Sequence, residues 1–182
     1  MIRQPAGRTH DPFTLHRCGL SLGSNMGDRL ACLRLAAGAV RLLADATQPV
    51  LVSSVYETEP VGCAPGTASF YNAVMEISYG GDPESLLERL RAVESAMGRP
   101  TERAKNDPRP IDLDLLYAGE LVRRSAFLEL PHPRLAERRF VLQPLAEIRP
   151  DLRLPGHDQP VRSLLAALPG AGQDLRLVTS DW

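Results

Sequence analysis

Apolar positions along this chain change their period several times, and each change marks an element. Leu15 to Leu22 reads as a strand ended by Gly23-Ser24-Asn25. From Asp28 to Leu43, Leu30, Leu33, Ala36, Ala37 and Val40 fall at helical spacing, and Asp28 stands where an N-cap belongs. Pro49 precedes a β-branched run, Val50 to Tyr56, and the Gly/Pro-rich stretch Glu59 to Gly66 separates it from Phe70 to Ser78. There Tyr71, Ala73 and Met75 alternate with Asn72, Val74 and Glu76, a strand pattern. Gly80-Gly81-Asp82-Pro83 opens a second helix, with Asp82 as cap and Pro83 in its first turn. Leu86, Leu87, Leu90, Val93 and Met97 carry it until Gly98 stops it. A strand containing Asp112 and Asp114 follows, and Ala118-Gly119 turns the chain into Glu120-Leu121-Val122.

The order β-α-β-β-α-β predicts an α+β fold with a ferredoxin-like core: helices packed on one face of an antiparallel sheet, the other face free to build a site. A short helix from Phe140 through Ile148 and another from Val161 to Leu168 form a C-terminal helical extension. Residues 1–14, rich in Pro, Gly and polar groups, are expected to be a flexible tail, and 15–182 a single domain. With 182 residues, 43% hydrophobic content and a formal net charge of −1, the chain has enough material for one core. Near-neutral charge gives no support for a nucleic-acid or membrane-surface binder. No apolar run approaches the roughly 20 residues of a membrane span, and the first ten residues lack a signal-type apolar stretch. Cys18, Cys32 and Cys63 are odd in number and widely spaced, which argues against a disulfide framework or zinc ribbon and for a reducing, cytoplasmic setting.

The chemistry concentrates in Arg109-Pro110-Ile111-Asp112-Leu113-Asp114-Leu115-Leu116. On a strand, Asp112 and Asp114 project from one face about 7 Å apart, while Ile111, Leu113 and Leu115 fill the other. Parallel carboxylates repel unless a cation lies between them, and magnesium held by one or two acids plus substrate phosphates meets that need. Upstream, Gly98 to Pro110 has no hydrophobic periodicity, three prolines and four cations, and reads as a long loop of the kind that closes over a ligand. Its arginines suit phosphate oxygens. Taken alone, the two features also fit a half-exposed strand and a solvated charged loop.

The run from Lys105 to Leu116 resembles the signature of the 6-hydroxymethyl-7,8-dihydropterin pyrophosphokinases, enzymes of folate biosynthesis that move a diphosphate from ATP to a pterin alcohol. Further segments are similar to that family in the same order: Leu20 to Arg29, Ser53 to Gly62, Phe70 to Val74, Leu130 to Arg134 and Arg138 to Leu145. The resemblance implies two magnesium ions on Asp112 and Asp114, ATP as co-substrate and AMP as leaving group. Asp112, Asp114, Arg99 and Arg109 become the catalytic set, the arginines neutralising the transferring group. Phe70 and Phe140 take the family's two pterin-stacking positions, and Asn72, Thr58, Pro60 and Val61 complete the pocket. For ATP the matching positions are Glu94 near the adenine, Leu115 as an apolar wall, Arg99 and Arg109, and His132 and Arg138 toward the phosphates. A monomer binding only small molecules is expected.

Three departures from the family pattern stand out. Asn106 replaces a usual aromatic residue, Asp107 a usual Gly or Ala, and Thr101 a second basic residue. They lower the positive charge of the loop and remove a stacking group. A reading of another class is a ferredoxin-like binding module that keeps a metal or nucleotide site without turnover; release of AMP separates the two.

Overall fold

The structure is a computed structural model that describes residues 15–60, 66–99, 107–169 and 174–182. The expected tail, Val61, and Thr101 and Asn106 of the long loop lie outside them. The chain runs β1 (His16–Ser24), α1 (Arg29–Arg41), β2 (Leu51–Val52), β3 (Val55–Thr58), β4 (Phe70–Tyr79), α2 (Pro83–Ala96) and β5 (Asp112–Ala118). There follow a small hairpin, β6 (Arg123–Arg124) with β7 (Glu129–Leu130), then α3 (Arg139–Ile148), α4 (Val161–Ala167) and β8 (Leu175–Thr179). The main sheet has the order β5-β1-β4-β3-β8, with β2 on β4, and every pair is antiparallel. The first four strands of that order, with α1 and α2, are the expected ferredoxin-like core.

Local chemistry explains most boundaries. The Asp28 carboxylate accepts from the Ala31 amide at 3.0 Å and starts α1. Gly98, at φ +88°, ends the last turn after α2 in a conformation that costs glycine nothing. Asp82 precedes α2 as expected, but its side chain does not cap: both carboxylate oxygens accept from Arg123 Nη1, at 3.0 and 3.3 Å. The helix thereby ties down the β6-β7 hairpin. The strand expected at Val50 to Tyr56 is interrupted at Ser53-Ser54, where the Ser53 amide bonds the Val74 carbonyl at 3.0 Å and its hydroxyl accepts from Val74 N at 2.9 Å. Glu147 of α3 reaches the same break and accepts from Ser54 N and Oγ.

The sheet separates two cores. Cys18, Leu20, Leu22, Ala73, Met75, Ile77, Leu113 and Leu115 pack with Leu33, Ala36 and Val40 of α1 and Leu86 and Leu90 of α2. Full burial of each such leucine contributes about 1.5–3 kcal/mol. The opposite face is not wholly free, which corrects the sequence expectation. Val74, Leu116 and Tyr117 pack there against Val141, Leu142 and Leu145 of α3 and Val161 of α4. A register shift on β5 between the partners of Gly19 and Leu20 brings Tyr117 to that side, next to Leu116, which alternation with Asp112 and Asp114 already places there. The C-terminal extension therefore covers one half of the face and leaves the Asp112 end open.

Two contacts hold this arrangement at its extremes. The Tyr117 ring lies over Gly19, and a Cβ at that position would meet ring Cζ and Cδ1 at 2.5 and 2.7 Å. At the sheet edge, the Glu57 carboxylate accepts from Ser69 Oγ at 2.7 Å and Arg29 Nη1 at 2.9 Å, and pairs with Arg176 of β8. The Ser69 hydroxyl and then the two guanidiniums pull its pKa from 4.5 to about 2. β8 was not anticipated from the sequence.

Because the Tyr117 ring is enclosed, Gly19→Ala should lower the unfolding free energy by about 1–3 kcal/mol in urea titration, and an unchanged midpoint would show the ring to be free to move. Glu57 gives a pH test: its depressed folded pKa stabilises the protein above pH 4.5, and that contribution disappears as pH falls toward about 2. In Glu57→Gln the stability-against-pH curve should flatten across that window. A curve parallel to wild type would remove Glu57 from the acid response.

Candidate active site

The open half of the sheet face is assembled by register. Asp112 pairs with Gly23 and Gly23 with Asn72, so these three stand side by side on β5, β1 and β4 with their faces in common. Asp114 pairs with Ser21 one step further along, and Thr58 pairs with Phe70 one step the other way. Asp112 and Asn72 are thus two strand spacings apart, about 10 Å. Gly23 is the floor between them. A Cβ there would lie 3.2 Å from Asn72 Oδ1, 3.8 Å from Asp112 Cβ and 3.9 Å from Phe70 Cδ1.

At the pocket end, Asn72 donates its amide to Thr58 Oγ1 at 2.8 Å, which fixes the amide orientation and leaves Oδ1 as an acceptor. Phe70 is half-buried, with the Arg109 guanidinium carbon 5.3 Å from its ring centroid. Phe140, in the first turn of α3, stands in the same relation to Arg138, at 5.5 Å. Pro60 is half-buried just beyond β3.

At the acid end, Asp112 is 20% exposed and Asp114 38%. Arg99 Nη1 lies 2.7 Å from Asp112 Oδ1, and Arg109 Nη2 2.6 Å from Oδ2. Burial pushes this carboxyl up, yet the Arg109 and Arg99 guanidiniums outweigh it and hold it below the usual carboxylate range. Asp112 is therefore charged at neutral pH. Asp114 has a looser partner, Arg138 Nη1 at 3.5 Å. His132 is fixed by its own amide, which bonds the Leu116 carbonyl at 2.7 Å, and by Nδ1, which accepts from the Arg134 amide at 3.1 Å. Nε2 then carries the imidazole proton. Burial lowers the His132 pKa, with Arg138 and Arg134 pushing the same way against Asp114.

Two residues expected on the nucleotide side are buried. Leu115 is 3% exposed and packs into the core under α1 and α2, because alternation turns its side chain away from Asp114. Glu94 is also buried, and its Oε1 accepts from Leu113 N, the amide between the two acids, at 2.6 Å while pairing with Arg99. It braces β5 and Arg99. Gly23 and Ser21 were not singled out from the sequence, although their places opposite Asp112 and Asp114 follow once β1 pairs with β5.

The donor set suits a hard divalent cation. Two partly exposed carboxylates on one face are what magnesium takes from a protein when phosphates supply its other ligands. Among the described residues there is no cluster of three or more His, Cys, Asp or Glu side chains that holds a metal by itself.

Residues 19–150 match the model of the 7,8-dihydro-6-hydroxymethylpterin-pyrophosphokinase family. The chain belongs to this family. It is 43% identical over 129 residues to the 2-amino-4-hydroxy-6-hydroxymethyldihydropteridine pyrophosphokinase of Bacillus subtilis, covering 71% of this chain and 75% of that protein. It is 37% identical to the enzyme of the same name from Pseudomonas aeruginosa, covering 87% of this chain and 95% of that one. Against the folic acid synthesis protein fol1 of Schizosaccharomyces pombe, also 37% identical, the chain spans 21% of the longer protein. The fold is that of a Plasmodium falciparum HPPK-DHPS crystal structure, with TM-score 0.66 at 13% identity, covering 84% of this chain and 44% of that one. No helix among the described residues is long and apolar enough to cross a membrane.

The brace at Glu94 is directly testable. Glu94→Ala leaves the buried Leu113 amide without an acceptor and should cost about 1–3 kcal/mol in urea unfolding, while Glu94→Gln, which keeps an oxygen there, should recover part of the loss. Equal losses in the two variants would mean that the bond to β5 contributes nothing.

Proposed function

We infer that this chain is an ATP-dependent diphosphotransferase of folate biosynthesis, which transfers the diphosphate of ATP to the hydroxymethyl group of 6-hydroxymethyl-7,8-dihydropterin and releases AMP. The observation that carries the reading is the row Asp112, Gly23 and Asn72 on three adjacent strands, which brings a charged acid end and an aromatic amide pocket to one floor. The alcohol oxygen attacks the β-phosphorus, and the bond from that phosphorus to the α-β bridging oxygen breaks in line. A primary alcohol is a weak nucleophile and the β-phosphorus is shielded by anionic oxygens, so positioning and charge neutralisation supply most of the acceleration.

The pterin lies between Phe70 and Phe140, with Asn72 Oδ1 and Thr58 reading its edge and Pro60 closing the pocket. Asp112 and Asp114 hold magnesium, in two ions, which when bound offsets phosphate charge and lowers the pKa of the attacking alcohol. Arg99 and Arg109 leave Asp112 for the transferring diphosphate, each charged hydrogen bond contributing about 1.5–3 kcal/mol. His132 through Nε2 and Arg138 face the phosphates. The working form is a cytoplasmic monomer that binds pterin and ATP and no nucleic acid.

The test is product identity. With ATP, magnesium and the reduced hydroxymethylpterin all present, AMP should form in step with pterin diphosphate; ADP would indicate an ordinary kinase, and no product a binding module. Asp112→Ala should lose about 10³-fold or more in rate with its circular dichroism unchanged. Activity within tenfold of wild type would take Asp112 out of the metal site.

A further inference from the structure

Arg109 carries its guanidinium to Asp112 and Phe70 from outside the sheet, since β5 begins only at Asp112. Its backbone therefore needs an anchor other than the ladder. The β1-β5 register ends with Gly23 opposite Asp112, and continuing it would set Asn25 opposite Pro110. Proline has no N–H to exchange, so the ladder cannot run on through that position. Asn25 replaces it in two ways. Its amide donates to the Arg109 carbonyl at 3.2 Å, and its side-chain Oδ1 accepts from the Arg109 amide at 2.8 Å.

Asn25 is 3% exposed, so this pair of bonds is shielded from competing water. The Arg109 side chain is also confined, at 16% exposure. We propose that Asn25 is a positioning residue for the transfer reaction: by standing in for the missing strand pairing it fixes the Arg109 backbone, and through it the guanidinium that must pass from Asp112 to the transferring diphosphate. The proposal rests on the reaction assigned above. It assigns Asn25 no contact with either substrate.

Asn25→Ala and Asn25→Asp separate the oxygen acceptor from the rest of the side chain, and Asp keeps an oxygen for the Arg109 amide. Asn25→Ala should lower kcat about 10–100-fold with the pterin KM changed less than about threefold, and Asn25→Asp should recover most of the rate. Combined with Arg109→Ala, Asn25→Ala should add less than about twofold to the loss, because both act through one guanidinium. Equal losses in Ala and Asp, or fully multiplicative losses in the double variant, would overturn the proposal. Hydrogen exchange of the Arg109 amide gives a readout independent of turnover: it should quicken at least about tenfold in Asn25→Ala and stay slow in Asn25→Asp. Unchanged exchange in Asn25→Ala refutes the clamp even if the wild-type enzyme makes AMP, whereas an inactive wild type with quickened exchange refutes the assigned reaction and leaves the clamp standing.

Discussion

A carboxylate rooted in a core strand must be compensated on the spot, and the compensation of Asp112 organises the rest of this site. Its backbone belongs to a strand whose neighbouring leucines are buried, so the acid cannot retreat into water. Arg99 arrives from the end of α2 and Arg109 from the approach to β5, one to each oxygen. Arg99 is in turn set by Glu94, which also secures the strand amide next to the acid. Breaking one partner of such a set leaves a charge uncompensated in a poorly solvated place, and that penalty keeps the members together.

The two faces of the sheet divide the labour. One is occupied from end to end by α1 and α2 and supplies the cohesion. The other is shared: α3 and α4 seal its far half over Val74, Leu116 and Tyr117, while the near half keeps Asp112, Asp114 and Phe70 partly exposed with Asn72 buried beside them. Sealing and opening meet at Phe140, whose helix belongs to the covered half and whose ring borders the open one. The register shift on β5 contributes, because it turns Tyr117 to the covered side beside Leu116 without disturbing the alternation of the acids. A continuous strand would have turned Tyr117 toward α1 and α2 with Leu113 and Leu115.

The core was legible because its signals are local. Alternation on β1, β4 and β5, helical spacing on α1 and α2, the cap at Asp28 and the stop at Gly98 each depend on residues within one element, and each is where the sequence puts it. What escaped depends on partners far along the chain. Asp82 has the sequence of a capping residue, but Arg123, 41 positions away, takes its carboxylate. The burial of Leu115 and the bond from the Leu113 amide to Glu94 likewise depend on how β5 packs against α1 and α2. β8 was missed because an edge strand carrying Arg176 looks like solvated chain until Glu57 is known to face it. That Asn72 needs a partner was readable from residue type, since an amide in mid-strand demands one, whereas the place of Gly23 appears only when three strands are laid side by side.

Anions and cations of the site differ in where they are rooted, and the difference suits the reaction. Asn72 stands on a strand paired on both sides, and Asp112 and Asp114 on an edge strand paired with β1 and braced at the Leu113 amide by Glu94. Arg99, Arg109 and Arg138 stand at element ends or beyond them, on long side chains. A polyphosphate entering such a site meets fixed acids and cations able to change partner. Each arginine that exchanges a carboxylate for a phosphate keeps its charge-assisted bonds, so the transfer of partners costs far less than baring a guanidinium would. The released acid in turn becomes available to a divalent cation travelling with the phosphates. A site holding its acids neutralised by lysines on the same strands would lack that exchange, because fixed cations could not follow the diphosphate as it moves from one oxygen to another.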